Sequence, residues 1–226
     1  LYAEAVNEKG LCISAQNFPG NAHYEKAPCQ NALNLAPYEI IPYILSNFGT
    51  VAEAEKSLSK LTIVDTPFKD DIPTTPLHFL IADANDAIVL ETTKNGTKIH
   101  KNPVGIMTNN PPFDAQLNNL SAYNYIKNQT REPTFFSVEP YSLGISATGL
   151  PGDYSSFSRF VKASFLSHYS NWENKIPQML SILGAVAVPR GAVIEKCREH
   201  YTLYSCVVDA EELIYYYKAH NSIITS

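Results

Sequence analysis

The sequence predicts an α+β fold with antiparallel sheets and helices packed on them. Three observations carry this. Short segments with apolar residues at every second position are joined by turn residues. Between them lie segments whose apolar residues recur at helical spacing. The order along the chain is strands, helices, strands, helices, strands.

The elements follow in order. Residues 2–6 and 11–16 read as two strands around a turn at Asn7-Glu8-Lys9-Gly10, where Gly10 supplies the positive φ that a tight hairpin needs. A loop rich in Asn, Pro and Gly precedes the helical segment PYEIIPYILSNF, opened by Pro37. Pro42 requires that helix to start late or to bend. Thr50 and Glu53 form a capping box for the next helix, with Leu58 and Leu61 on one face. Residues 65–76 are a proline-rich loop. LHFLIAD (77–83) and AIVLETT (87–93) are strands, and Asn95-Gly96 turns the chain into residues 97–101. The apolar run VGIMT reads as one more strand of this meander, closed by Pro111 and Pro112.

Helical spacing returns in FDAQLNNLSAYNYI. Asp153 or Ser155 caps the helix SSFSRFVKASFLSHYS, whose core stripe is Phe157, Phe160, Val161 and Phe165. A helix over about 173–187 and the strands YTLYSCVVD and LIYYYKA complete the chain. No internal repeat or low-complexity tract interrupts it.

Composition narrows the function. The chain has 226 residues, 45% of them hydrophobic, enough for one substantial core. Fourteen tyrosines supply apolar bodies with polar tips, suited to amphipathic ligands. A formal charge of −5 argues against nucleic acid or an anionic membrane as the main partner. No apolar run approaches the ~20 residues that span a bilayer, and no secretory signal stands at the start. Cys12, Cys29, Cys197 and Cys206 form no CxxC pair, so they read as reduced, mostly buried thiols of a cytoplasmic protein without zinc. The chain starts at Leu1 inside strand-like sequence and stops just after an apolar strand pattern, so it reads as one domain, 1–226, cut from a longer protein at both ends.

The nucleotide, metalloprotease and serine-hydrolase motifs GxGxxG, P-loop, HExxH and GxSxG are all missing, and the histidines show no metal-ligand spacing. No cofactor or metal is expected. His78, inside LHFLIAD, reads as a satisfied core or surface histidine. Three polar residues stand out: Asn17 at the end of a strand, Asn109 after VGIMT, and Arg159 beside the core stripe of its helix. Asparagines at strand ends are commonly turn formers, and Arg159, with Ser155 and Lys162, also fits a plain helix surface.

These three residues lie in stretches that resemble the choloylglycine hydrolases (bile salt hydrolases) and the related penicillin V acylases. The stretches are NEKGLCISAQNFPGNAHY, NPVGIMTNNPPFDAQL, GLPGDYSSFSRFVKASF and YTLYSCVVDAEELIYYYKAHNSIITS, in the family's order across nearly the whole chain. The resemblance implies the N-terminal-nucleophile hydrolase fold, an αββα sandwich of two antiparallel sheets between helix layers. It implies amide hydrolysis by a cysteine that becomes the first residue and whose α-amino group acts as base. That cysteine, with an arginine and an aspartate shortly after it, falls before Leu1. Asn17 and Asn109 align with the family's two oxyanion-site asparagines and Arg159 with its second active-site arginine. These 226 residues alone are therefore expected to be inactive.

Asparagine at position 17 is the residue of bile-salt-type members, where penicillin-V-type members tend to have tyrosine. The expected substrate is accordingly a glycine- or taurine-conjugated bile salt, with Phe68, Ile72 and Leu77 as pocket residues. The readings that compete are a penicillin V acylase or other N-acyl amide hydrolase, and a non-catalytic binder of amphipathic ligands. By analogy with the family, the protein is expected to be a homotetramer.

Overall fold

The chain reverses between Thr93 and Gly96, which pair directly across the turn, and Gly96 takes φ +94°. Only glycine adopts that conformation without strain, so this hairpin forms where the sequence places it. In the computed structural model, which describes residues 2–129 and 145–220, the hairpin is one edge of the main sheet. Its strands are β1 (Glu4–Val6), β2 (Cys12–Asn17), β5 (Leu77–Ala82), β6 (Ala87–Thr93) and β7 (Gly96–Lys101). They lie in the order β1-β2-β5-β6-β7, and every neighbouring pair is antiparallel.

Two helices cover one face. Pro37–Glu39 forms a 3-10 turn and α1 (Ile40–Asn47) follows, so Pro42 falls in the first helical turn, where its missing N–H leaves nothing unpaired. In α2 (Val51–Leu58), Thr50 Oγ1 accepts from Glu53 N at 3.2 Å, as expected of the cap, while Glu53 Oε2 accepts from Gly49 N at 2.9 Å. Ile40, Ile44, Val51 and Leu58 pack on Ile13, Phe79, Ile81, Ile88 and Leu90 of the sheet. Fully burying one such side chain is worth about 1.5–3 kcal/mol.

Val89 and Leu80 face the other side. There they meet Met107, Phe113 of α3 (Phe113–Ser121) and Phe160 of α4 (Ser156–Tyr169). α4 packs on α5 (Lys175–Val186), and α5 packs on an antiparallel ribbon of β10 (Tyr204–Asp209) and β11 (Ile214–Ala219). Tyr204 and Tyr215 donate from the ribbon to the Glu4 carboxylate in β1, at 3.0 and 2.7 Å. Helices thus lie on both faces of the main antiparallel sheet, with a second antiparallel ribbon beside it, a mixed fold of antiparallel sheets and helices as the sequence predicts. Among the described residues no helix is long and apolar enough to cross a membrane.

Several local expectations need correction. VGIMT is not a strand. Asn102 Oδ1 accepts from Val104 N (3.2 Å) and Gly105 N (2.9 Å), its Nδ2 donates to Ile106 O (3.0 Å), and Gly105 sits at φ +67°. One side chain takes the hydrogen bonds that a ladder would have made. Leu61 leaves the helix and starts β4 (Leu61–Ile63), which pairs in parallel with β3 (Leu33–Leu35). α3 ends at Ser121 and continues as turns rather than helix. Phe157 is 39% exposed, because the buried face of α4 is built on Ser158, Phe160, Val161 and Ala163. The four cysteines are free but none is fully buried: Cys29 and Cys197 are exposed, the latter in the tight turn between β8 (Ile194–Glu195) and β9 (Arg198–Glu199).

Candidate active site

Two loops and the start of α4 converge at the end of β2. The first loop is fixed by Phe18, which is fully buried, donates its N–H to Pro76 O at 2.9 Å and stacks on His78 with ring centres 4.3 Å apart. Asn17, next to it, is exposed. The second loop, residues 107–113, leads into α3. Asn110 Nδ2 donates to Pro19 O at 2.7 Å, tying the two loops together, and the Asn110-Pro111 peptide is cis. Gln116 Nε2 donates to Asn110 O and to the Thr108 and Ser156 hydroxyls, at 3.1, 3.2 and 3.2 Å. The turn thus hangs on α3 and on the first residue of α4.

Asn109 projects from this turn between the other two predicted residues. Its Nδ2 donates to the backbone oxygen of Asn17 at 2.9 Å, and its Oδ1 accepts from an Arg159 terminal nitrogen at 2.8 Å. Arg159 Nε also donates to Tyr154 O at 3.2 Å. Burial pulls the Arg159 pKa below its ordinary value, yet a guanidinium stays charged at any working pH. The start of α4 is held by Ser155, whose hydroxyl accepts from Ser158 N at 3.2 Å, and by Asp153, which accepts from Ser155 N at 2.9 Å and from the Ser158 hydroxyl at 2.5 Å. The Ser155 side chain first, then the Ser158 hydroxyl and Ser155 N, hold the Asp153 carboxyl down at about 2. Asn17, Asn109 and Arg159, spread over the whole described chain, therefore form one hydrogen-bonded row.

Asn17 also lines a cavity of about 300 Å³, together with Phe68, Ile72, Leu77, Tyr38 and Phe79. All three pocket residues expected from the sequence are in its wall. The Phe68 ring is 51% exposed and meets the Tyr38 ring edge-on at 5.3 Å. Tyr38 was missed by sequence reasoning, since its segment reads only as the start of a helix.

Sequence reasoning also missed Glu91. It is 2% exposed, and its carboxylate accepts from Phe113 N at 3.0 and 3.2 Å and meets His78 Nδ1 at 3.0 Å. The only signal for it was a charged residue inside an otherwise apolar strand. Of the core and surface readings the sequence left open for His78, its 1% exposure selects the core, with Nδ1 bonded to Glu91 and Nε2 left without a partner.

Two cysteines lie on strands. Burial raises the Cys12 thiol pKa, and its Sγ donates to Gly10 O at 3.5 Å. Burial raises the Cys206 pKa too, and the Glu4 carboxylate pushes it the same way. Both shifts disfavour the thiolate that nucleophilic attack needs.

Comparison with known proteins places the chain in a family. The family described as linear amide C-N hydrolases, choloylglycine hydrolase family, matches residues 1–226. The bile salt hydrolase/transferase of Lactiplantibacillus plantarum is 41% identical over 235 aligned positions, covering 100% of this chain and 72% of that protein. The crystal structure of a mutant conjugated bile acid hydrolase from Clostridium perfringens superposes with a TM-score of 0.91 at 31% identity, covering 97% of this chain and 69% of that one. The penicillin V acylase of Agrobacterium tumefaciens shares the fold, with a TM-score of 0.75 at 24% identity, covering 97% of this chain and 63% of that one. The chain belongs to the choloylglycine hydrolase family of linear amide C–N hydrolases.

Proposed function

We propose that the full-length protein hydrolyses the amide bond of glycine- or taurine-conjugated bile salts, releasing the amino acid from the bile acid. The observation that carries this reading is the Arg159–Asn109–Asn17 row beside an apolar cavity. The similarity to bile salt hydrolases supports the substrate class.

Each residue type suits the chemistry. Attack on an amide carbonyl places negative charge on its oxygen. Fixed, neutral N–H donors stabilise that charge, and one such donor is worth roughly 2.7–4 kcal/mol of barrier. In this reading the side-chain amides of Asn17 and Asn109 are those donors. Arg159, bonded to the Asn109 oxygen, draws electron density from that amide and sharpens its N–H groups as donors. The cavity wall of Phe68, Ile72 and Leu77 takes the steroid, each buried apolar Å² contributing roughly 25 cal/mol. By analogy with the family, the nucleophile in this reading is an N-terminal cysteine; the raised thiol pKa values of Cys12 and Cys206 make those two poor substitutes. The family analogy extends to a cytoplasmic homotetramer, which light scattering of the purified protein tests.

The deciding experiment compares turnover of glycocholate, taurocholate and penicillin V by the full-length protein. Release of glycine or taurine with a higher kcat/KM than penicillin V cleavage is the expected result. Faster penicillin V cleavage would overturn the substrate assignment, and binding of all three without turnover would make the protein a carrier of amphipathic ligands.

A further inference from the structure

We infer that Gln16, His78 and Glu91, three neighbours across the sheet, form a platform that positions both asparagines. The inference rests on the proposed role of Asn17 and Asn109, and deepens it.

The platform follows from strand register. Gln16 of β2 pairs directly with His78 of β5, so the two side chains share a face. Phe79 pairs with Leu90 and Leu80 with Val89, which puts Glu91 of β6 beside His78 on that same face. Gln16 Nε2 donates to Met107 O at 3.2 Å, and the Glu91 carboxylate accepts from Phe113 N at 3.0 Å. These are the two ends of the turn that carries Asn109. Between them His78 donates to or accepts from Glu91 through Nδ1 at 3.0 Å, and its ring lies flat against Phe18, with 4° between the planes. Phe18 is the residue after Asn17. One row of polar side chains therefore holds the backbone on either side of one asparagine and, through a ring stack, the other.

The burial of this row makes a purely local explanation insufficient. His78 and Glu91 are 1% and 2% exposed, and the Nε2 atom of His78 has no hydrogen-bond partner. An apolar pair would fill the same volume without that unpaired atom. What the polar pair adds is a fixed direction for Phe113 N, and so for the turn preceding α3. His100 of β7 completes the surroundings, with Nε2 at 3.5 Å from the second Glu91 oxygen. None of the three lines the cavity beside Asn17: they are positioning residues.

The test uses the full-length enzyme and glycocholate. Glu91→Leu removes the acceptor of Phe113 N, whereas Glu91→Gln keeps one oxygen for it. Displacing a reacting group by about 1 Å costs roughly 10²-fold in rate. Glu91→Leu is accordingly expected to lose roughly 10²-fold in kcat with KM within about twofold, and Glu91→Gln to regain most of it. Gln16→Leu, a milder change in a part-buried position, is expected to lose about tenfold in kcat, and it decides the matter if Glu91→Leu does not fold. Adding Glu91→Leu to Asn109→Ala should cost little further rate. A wild-type kcat in folded Glu91→Leu or Gln16→Leu, or losses that simply add to those of Asn109→Ala, would overturn the inference. A wild-type kcat in Asn109→Ala alone would instead overturn the oxyanion reading on which it rests.

Discussion

The side-chain amide of Asn109 donates to the backbone oxygen of Asn17 at 2.9 Å, joining residues 92 positions apart in sequence. This bond closes the end of β2 onto the turn before α3. It leaves the second N–H of the Asn109 amide free to face a ligand. Asn109→Ala in the full-length protein should therefore lower kcat by about 10²–10³-fold, the usual loss for one oxyanion donor. Circular dichroism should show an unchanged fold, and a rate near wild type would reduce Asn109 to a turn former.

Arg159 tests the same row from its other end. Arg159→Leu removes the 2.8 Å bond to Asn109 Oδ1 and the 3.2 Å bond to Tyr154 O. Two hydrogen bonds of this kind carry about 1–3 kcal/mol of stability between them. The expected outcome is a kcat at least tenfold lower, with a modest fall in the melting temperature. If stability falls and kcat does not, Arg159 serves only the surface of α4.

The start of α4 should respond to acid. The carboxyl of Asp153 is held at about 2 in the folded protein by its bonds to Ser155 and Ser158, below the ordinary ~3.9 of a free aspartate. A depressed folded value means that the stabilisation is present above the unfolded value and is lost as pH falls through the folded one. Because Asp153 is exposed, the contribution is on the order of 0.5–1 kcal/mol. Asp153→Asn should lower the melting temperature at neutral pH, and the difference from wild type should shrink from about pH 4 and vanish near pH 2. A difference that persists at that acidity would mean the aspartate acts by packing.

Phe68 separates binding from chemistry. Its ring is half exposed in the cavity wall, so Phe68→Ala should change stability by only about 0.5 kcal/mol. Losing roughly 50 Å² of apolar contact with a steroid is worth about 1 kcal/mol. We expect KM to rise about fivefold with kcat little changed. An unaltered KM would remove Phe68 from the binding wall.

The sequence makes the sheet readable where local chemistry and tertiary structure agree. Asn95-Gly96 and Gly10 turn the chain as their backbone freedom dictates, and β5 and β6 show their apolar runs directly. It misleads at VGIMT, where an apolar run suggests a strand but Asn102, outside the run, satisfies the backbone. The parallel pairing of β3 and β4 leaves no pattern in three-residue strands. At the site, Asn17, Asn109 and Arg159 could be named, but not their mutual bonds, which depend on loops meeting in space. Glu91 stayed hidden for a related reason: a single carboxylate in a strand says nothing of the Phe113 N–H it faces from 22 residues away.

A guanidinium has hydrogens to offer and no lone pair to receive one. Facing Arg159, the Asn109 amide can present only its oxygen, and facing the Asn17 carbonyl it can present only its nitrogen. Turning the amide by half a revolution would set oxygen against oxygen and NH2 against a cation. The side chain thus has a single permitted sense, and under the proposed oxyanion role the most harmful mistake, an oxygen aimed at the developing charge, is closed off by its neighbours.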